Sequence, residues 1–259
     1  MFETLHYAAE DGIGVITLNR PERLNAVNTA MASELEALAR QLRDDRTLRA
    51  LIVTGTGRVF CAGADIAALE TLKSADASYR FLEGLQLAFN AIEALPMPTI
   101  AAVHGLAFGG GCELALACDF RLLSSEARLG VPEIKLGLLP GAGGTQRLAR
   151  LLPAAVAKQM IYFGDPLDAQ AALAHGLINA VVPVGEALNE ARAWATRLAS
   201  LPPLALRAAK LLVHGAALGG LSNGIEAERQ SVSYLFQTRD AHEGIRAFLD
   251  KRAAKFEGS

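Results

Sequence analysis

The chain has 259 residues, enough for one large domain or a domain with a smaller appendage, and its 25 basic against 27 acidic side chains leave a net charge of −2. That balance excludes a broad basic surface for nucleic acid and argues against binding to anionic membranes. With 51% hydrophobic and 20% charged residues the chain is built to bury a core, and no apolar run reaches the roughly 18 residues of a membrane helix.

Taken in chain order, residues 14–18 (Gly-Val-Ile-Thr-Leu) predict a strand. A helix follows over about 29–42, with Met31, Leu35, Leu38 and Leu42 at helical spacing. Residues 50–54 predict a second buried strand, 81–95 a helix stopped by Pro96, and 99–103 a third strand. A short helix runs from the glycines at 109–111 to about Ala117, and 120–123 predict a fourth strand. Strands alternating with helices argue an α/β fold with a largely parallel sheet or coil. After about Val182 the strand signals stop. Residues 186–198, 203–214, 224–236 and 240–256 all predict helices, with Pro202-Pro203 marking a break. Such an end either packs on a neighbouring subunit or covers the sheet of its own chain. The sequence shows no repeat of constant length.

Cys61, Cys112 and Cys118 form no CxxC pair and suit a reducing cytosol. Residues 1–4 (Met-Phe-Glu-Thr) are not a basic and apolar leader, so the expectation is a cytoplasmic protein without a signal peptide. His6, His104, His175, His214 and His242 are scattered and make no HExxH, so no metal site is expected.

Three glycine-bearing loops carry the candidate chemistry. The first runs from Gly57 to Ile66, where small residues let a ligand approach the backbone. A dinucleotide fingerprint fails there, because Phe60 stands where the third glycine is needed. The plain alternative is a tight turn. The second loop, His104 to Leu114, places Gly109-Gly110-Gly111 before a helical run. Open N–H groups at a helix start suit a developing oxyanion or a phosphate. No GxxxxGK[ST] is present, which argues against a nucleotide triphosphatase. Glu113 falls in the first turn of that helix, where a solvated carboxylate facing the helix dipole is the plain alternative. The third loop, Gly130 to Thr145, sets Glu133 among apolar neighbours that would raise its pKa. Its plain alternative is a turn glutamate paired with Lys135. Two carboxylates beside an oxyanion site are what water addition or proton transfer next to a carbonyl requires.

In their order these loops resemble the crotonase superfamily, and within it enoyl-CoA hydratases. The resemblance spans the chain: Asn19-Arg20-Pro21-Glu22-Arg23-Leu24-Asn25-Ala26, Phe60 to Ile66, Ala101 to Gly105, Gly109 to Leu114, Pro132-Glu133, Pro140 to Leu148, and Lys251 to Phe256. It implies a spiral of repeated ββα units over 1–199 and an all-helical region over 200–259 that builds trimers, singly or stacked as a dimer of trimers. It also implies that the N–H groups of Ala64 and Gly110 form an oxyanion hole for the thioester oxygen. Glu113 and Glu133 match the two hydratase glutamates, and Ala64, Asp65, Ile66 and Ala67 match the segment along coenzyme A. Arg23 and Lys255 are further candidates for its phosphates.

The expected reaction is reversible syn addition of water to a trans-2-enoyl-CoA, giving a 3-hydroxyacyl-CoA. Glu113 acts as base toward water and Glu133 delivers the proton to the α-carbon. No cofactor is called for, because coenzyme A belongs to the substrate. An enoyl-CoA isomerase needs only one of the two carboxylates and is the alternative. An RNA-binding or non-catalytic relative fits neither the charge nor the paired glutamates. Acyl length would be set around residues 68–87, read as one helix.

Overall fold

The structure, a computed structural model, describes residues 2–216 and 219–259. Met1, Ala217 and Leu218, which the expected domain spans include, lie outside the described residues.

The chain opens with a hairpin that the sequence reading missed. Strand β1 (Leu5–Glu10) pairs antiparallel with β2 (Ile13–Leu18). The turn between them is Asp11-Gly12, both with positive φ, a dipeptide that favours tight hairpins. Helix α1 (Thr29–Arg43) follows, capped by the Asn28 side chain. Strand β3 (Ala50–Gly55) lies parallel to β2. The next helical stretch is divided. The short α2 (Ile66–Glu70) is separated from α3 (Ala75–Glu93) by a turn, and Ser74 caps α3. The region expected as one helix over 68–87 is therefore two, and α3 starts before residue 81 because the Ser74 cap fixes its beginning.

Two strands then precede each helix. Strands β4 (Thr99–Val103) and β5 (Leu106–Phe108) lead into α4 (Gly110–Ala117). Strands β6 (Phe120–Ser124) and β7 (Arg128–Gly130) lead through a 3-10 helix, Pro132–Leu136, into α5 (Gly144–Leu151). Helix α6 (Ala154–Phe163), strand β8 (Leu167–Asp168), helix α7 (Ala169–Ala174) and strand β9 (Ala180–Val182) complete the α/β part. The first strands of the units build one sheet in the order β1-β2-β3-β4-β6-β9, parallel after the opening hairpin. The second strands build another, β5-β7-β8. This is the expected spiral of ββα units.

Inside its exposed edge strand β1, the large sheet is buried on both faces. Leu51 and Val53 of β3 join the main core with Leu35, Leu38, Phe89 and Ile92 of α1 and α3. Ala50 and Ile52, pointing the other way, meet Ala187, Ala191 and Ala195 of α8 (Ala187–Ala199). Those alanines recur every fourth residue and let the helix lie close against the sheet. Helix α8 thus covers its own chain's sheet. The helices beyond it behave differently. Helices α9 (Pro203–Ala216) and α10 (Leu221–Leu235) bury no residue, and α11 (Arg239–Leu249) buries only Asp240 and Ala247. The last helix stops at Leu249 rather than 256. Lys251 turns the chain with φ +54°, and Asp240 accepts the Glu257 and Gly258 N–H groups of the returning tail. Among the described residues no helix is long and apolar enough to cross a membrane.

Candidate active site

Strand register brings the three loops together. In the second sheet Cys61 bridges Ala107 in parallel, and Ala107 pairs with Leu129 of β7. Three residues beyond the first two partners lie Ala64 and Gly110, and four beyond Leu129 lies Glu133. Neighbouring parallel strands point the same way, so positions far apart in sequence emerge side by side at their C-terminal ends. The Gly109 N–H donates to the Gly130 carbonyl and fastens the second loop to the third. On the other side the Val27 N–H donates to Gly63 O, and the Asp65 N–H donates to Val27 O.

This brackets Ala64 and turns its own N–H away from the strand. A Cβ placed on Gly110 would stand 3.5 Å from the Ala64 nitrogen, so the two amides are neighbours. Among the described residues neither amide meets a protein acceptor. Gly110 opens α4, where the first turn has no intrahelical acceptor and the helix carries partial positive charge. Two free donors side by side, one of them at a helix start, are suited to hold an oxyanion.

Glu113 is buried, 2% exposed, and is not a solvated dipole glutamate. Its Oε1 accepts from the Ala142 N–H at 2.8 Å and the Gly144 N–H at 2.7 Å. A Cβ on Gly144 would lie 2.9 Å from that oxygen, which explains the glycine. Burial pushes the Glu113 carboxyl up, while the Gly144 and Ala142 bonds and the Arg147 charge pull it partly back. The balance remains above the ordinary value.

Glu133 has different surroundings. Its Oε2 is buried and has no protein partner. Burial first, and then the charge of Glu113, raise its pKa to about 7, against a bond from its own backbone N–H. Lys135 does not pair with it. Lys135 Nζ instead reaches Asp165 at 2.7 Å. Gly109, with φ +50°, would place a Cβ 2.8 Å from Glu133 Oε1. The carboxylate therefore rests on bare backbone beside the oxyanion donors.

The expected coenzyme segment is only partly open. The Asp65 carboxylate is spent internally, on Arg20 at 2.9 Å and on the Ala67 N–H at 3.0 Å. Burial would raise its pKa, but the Arg20 bond, the Ala67 N–H and the charges of Arg20 and Arg23 hold it below the ordinary value. Asp65 thus caps α2 and steadies the loop, leaving the exposed Ile66 side chain and the Ala64 N–H for a ligand. Arg23, exposed in the 3-10 turn Pro21–Arg23, stands close enough to act on Asp65. Lys255 lies elsewhere, on the tail, where its N–H donates to Glu243 of α11. Sequence reasoning missed the holders of the loops. Asn25, fully buried, donates to the Thr56, Val59 and Phe60 carbonyls, and Arg147 is buried between α3 and the third loop. Apart from Ala142 for Arg147 and Arg20 for Asn25, each five residues off, their partners lie about thirty or more residues away, so no local pattern announces them.

Comparison with known proteins bears on what this geometry does. The family described as enoyl-CoA hydratase/isomerase matches residues 8–259. A Mycobacterium bovis protein named "Probable enoyl-CoA hydratase echA8" is 43% identical over 255 residues, 98% of each chain. A crotonyl-CoA hydratase of Syntrophomonas wolfei is 40% identical over 256 residues, again 98% of each. The crystal structure of an enoyl-CoA hydratase from Bacillus anthracis superposes with a TM-score of 0.95 at 36% identity, covering 99% of this chain and all of that one.

Proposed function

The chain belongs to the enoyl-CoA hydratase/isomerase family, and on that premise we propose that it adds water reversibly, and syn, to a trans-2-enoyl-CoA. The thioester oxygen sits between the Ala64 and Gly110 N–H groups, which stabilise the enolate as negative charge moves onto that oxygen. The Glu113 carboxylate takes a proton from water while the water oxygen bonds to the β-carbon. The protonated Glu133 gives its proton to the α-carbon, completing the 3-hydroxyacyl thioester. The two carboxyl groups then exchange a proton to restore the starting state.

One observation carries this reading. The two carboxyl groups at one oxyanion pair are held in unlike environments. Glu113 is fixed by two N–H bonds and faces a nearby cation, which offset part of the rise that burial gives its pKa. Glu133 keeps a buried oxygen without a donor, so its protonated form is favoured up to about pH 7. Unlike surroundings for the two members of a carboxyl pair are how an acid and a base are told apart. The exposed Ile66 on the ordered 64–67 segment and the exposed Arg23 support a coenzyme A site, and Lys255 joins it, like Asp65 and Ala67, on the strength of its motif alone. The unburied α9 to α11 support a trimer or a dimer of trimers. The three buried free thiols suit the cytoplasm.

The test is product analysis of the purified protein with trans-2-enoyl-CoAs of graded length and branching. The reading requires a 3-hydroxyacyl-CoA and loss of the conjugated double bond. Migration of the double bond in a 3-enoyl-CoA, without water uptake, would transfer the protein to the isomerase reading.

A further inference from the structure

Helix α3 turns one stripe of side chains toward the third loop. Leu82, Gln86, Asn90 and Glu93 are spaced four, four and three residues apart and so share a helix face. The Gln86 amide donates to the Gly141 carbonyl at 2.7 Å, and Leu82 packs against Gly141. Asn90 and Glu93 act through Arg147 of α5. Its Nη2 donates to Asn90 Oδ1 at 2.7 Å and to Glu93 Oε2 at 2.6 Å, and its Nε donates to Glu93 Oε1 at 3.2 Å. The remaining Nη1 donates to the Ala142 carbonyl at 3.0 Å. Ala142 is also the residue whose N–H holds Glu113. The guanidinium is 91% buried as a side chain once its 9% exposure is taken off, and all three of its nitrogens are engaged. Its fork on a carboxylate fixes direction as well as charge.

We propose that Arg147 is a positioning residue for the reaction: held by Glu93 and Asn90 of α3, it fixes the Ala142–Gly144 backbone whose N–H groups orient the Glu113 carboxylate. This rests on reading Glu113 as the catalytic base. Arg147 touches neither substrate nor reacting atoms. The ionisable groups around Glu113 are few. Arg147 faces it from α5, Glu133 from the 3-10 helix, and the Cys112 thiol adjoins it on α4, with Glu93 of α3 behind Arg147. Arg147 is the one cation of that set. Its removal takes away both the charge and the grip on the loop, so ionised Glu113 becomes harder to form. A base works only when ionised, so the rising limb of kcat against pH then moves to higher pH.

The experiment compares Arg147→Gln, Arg147→Lys and Glu93→Gln with the unaltered enzyme on trans-2-butenoyl-CoA, recording kcat and KM across pH. In Arg147→Gln kcat falls on the order of a hundredfold with KM nearly unchanged, as expected of a misplaced catalytic group. Its rising limb moves to higher pH, and Arg147→Lys, which keeps the charge, recovers part of both effects. Glu93→Gln cuts the fork from its more exposed side and gives the same pattern more weakly, so the inference survives a poorly folded Arg147→Gln. In a Glu113→Gln background, Arg147→Gln adds little. A uniform loss at every pH with an unmoved limb, or an equal further loss in the Glu113→Gln background, overturns the inference in favour of a merely structural arginine. Normal kcat and an unmoved limb in all three variants overturn it as well. Normal hydration by Glu113→Gln alone instead overturns the functional reading on which it rests.

Discussion

The α/β body and the arm formed by α9 to α11 solve opposite problems. In the body the inner strands of the large sheet find cover, with α1 and α3 over one face and the alanine row of α8 over the other, and only the edge strand β1 stays largely exposed. The arm finds almost none. Leu211, Val213, Leu221, Tyr234, Phe248 and Leu249 are each more than 60% exposed. Large apolar side chains left this exposed are what the proposed trimer contact would cover. Polar links tie the arm to the body instead. Lys210 reaches Asp119 at 2.8 Å and the Met97 carbonyl at 3.1 Å, and Arg49 reaches the Phe256 carbonyl at 2.9 Å. The proposed chemistry lies where packing is complete, because a rigid, water-poor frame is what can hold two neighbouring carboxyl groups in unlike surroundings. The proposed assembly would use the region where packing is left unfinished.

The comparison is broken most severely by removing the body's carboxyl groups. Glu113→Gln and Glu133→Gln should each lower hydration about a hundred- to ten-thousandfold, the usual contribution of a general acid or base. Binding of a saturated acyl-CoA, measured by calorimetry, should survive because the oxyanion amides remain. The double variant should be little worse than either single one. Near-normal rates in one variant would mean that only one carboxyl works, as in an isomerase.

Gly110→Pro is the next largest change. Proline lacks the N–H and so deletes one of the two donors, and loss of one such donor costs roughly a hundred- to a thousandfold in kcat. Circular dichroism must show the variant folded. A folded variant with near-normal kcat would remove Gly110 from the oxyanion site.

The arm should respond in the other currency. Ending the chain before Pro202 removes α9 to α11 while keeping α8 on its sheet. Light scattering should then show loss of the oligomer or precipitation. A soluble oligomer of unchanged stoichiometry would place the interface elsewhere.

How much of this was legible in the sequence follows the same division. The inner strands, α1 and α4 carry strong local signals, either unbroken apolar runs or helical spacing, and they appear where expected. Strands β5, β7 and β8 do not, because two or three residues hold no period. Yet those short strands set the register that aligns Ala64, Gly110 and Glu133. The site residues were found through motif resemblance rather than through any local pattern. Whether the last four helices cover their own sheet or face outward was open from periodicity alone. It divides at Ala199, where α8's small residues give way to large exposed ones. Arg20, Asn25 and Arg147 were illegible as holders, since each acts on backbone or side chains brought near only by the fold.

The central claim is that the body sets Glu113 and Glu133 close enough to couple, in unlike surroundings, and holds Glu133 protonated up to about pH 7. Carbon-13 NMR of the glutamate carboxyl groups, titrated in the unliganded protein and assigned with Glu113→Gln and Glu133→Gln, measures it without relying on turnover. The account predicts a resonance titrating near about 7 that disappears in Glu133→Gln. It also predicts that this resonance titrates lower in Glu113→Gln, because the neighbouring negative charge is gone. Two carboxyl groups both titrating in the ordinary glutamate range, indifferent to each other's removal, would contradict it.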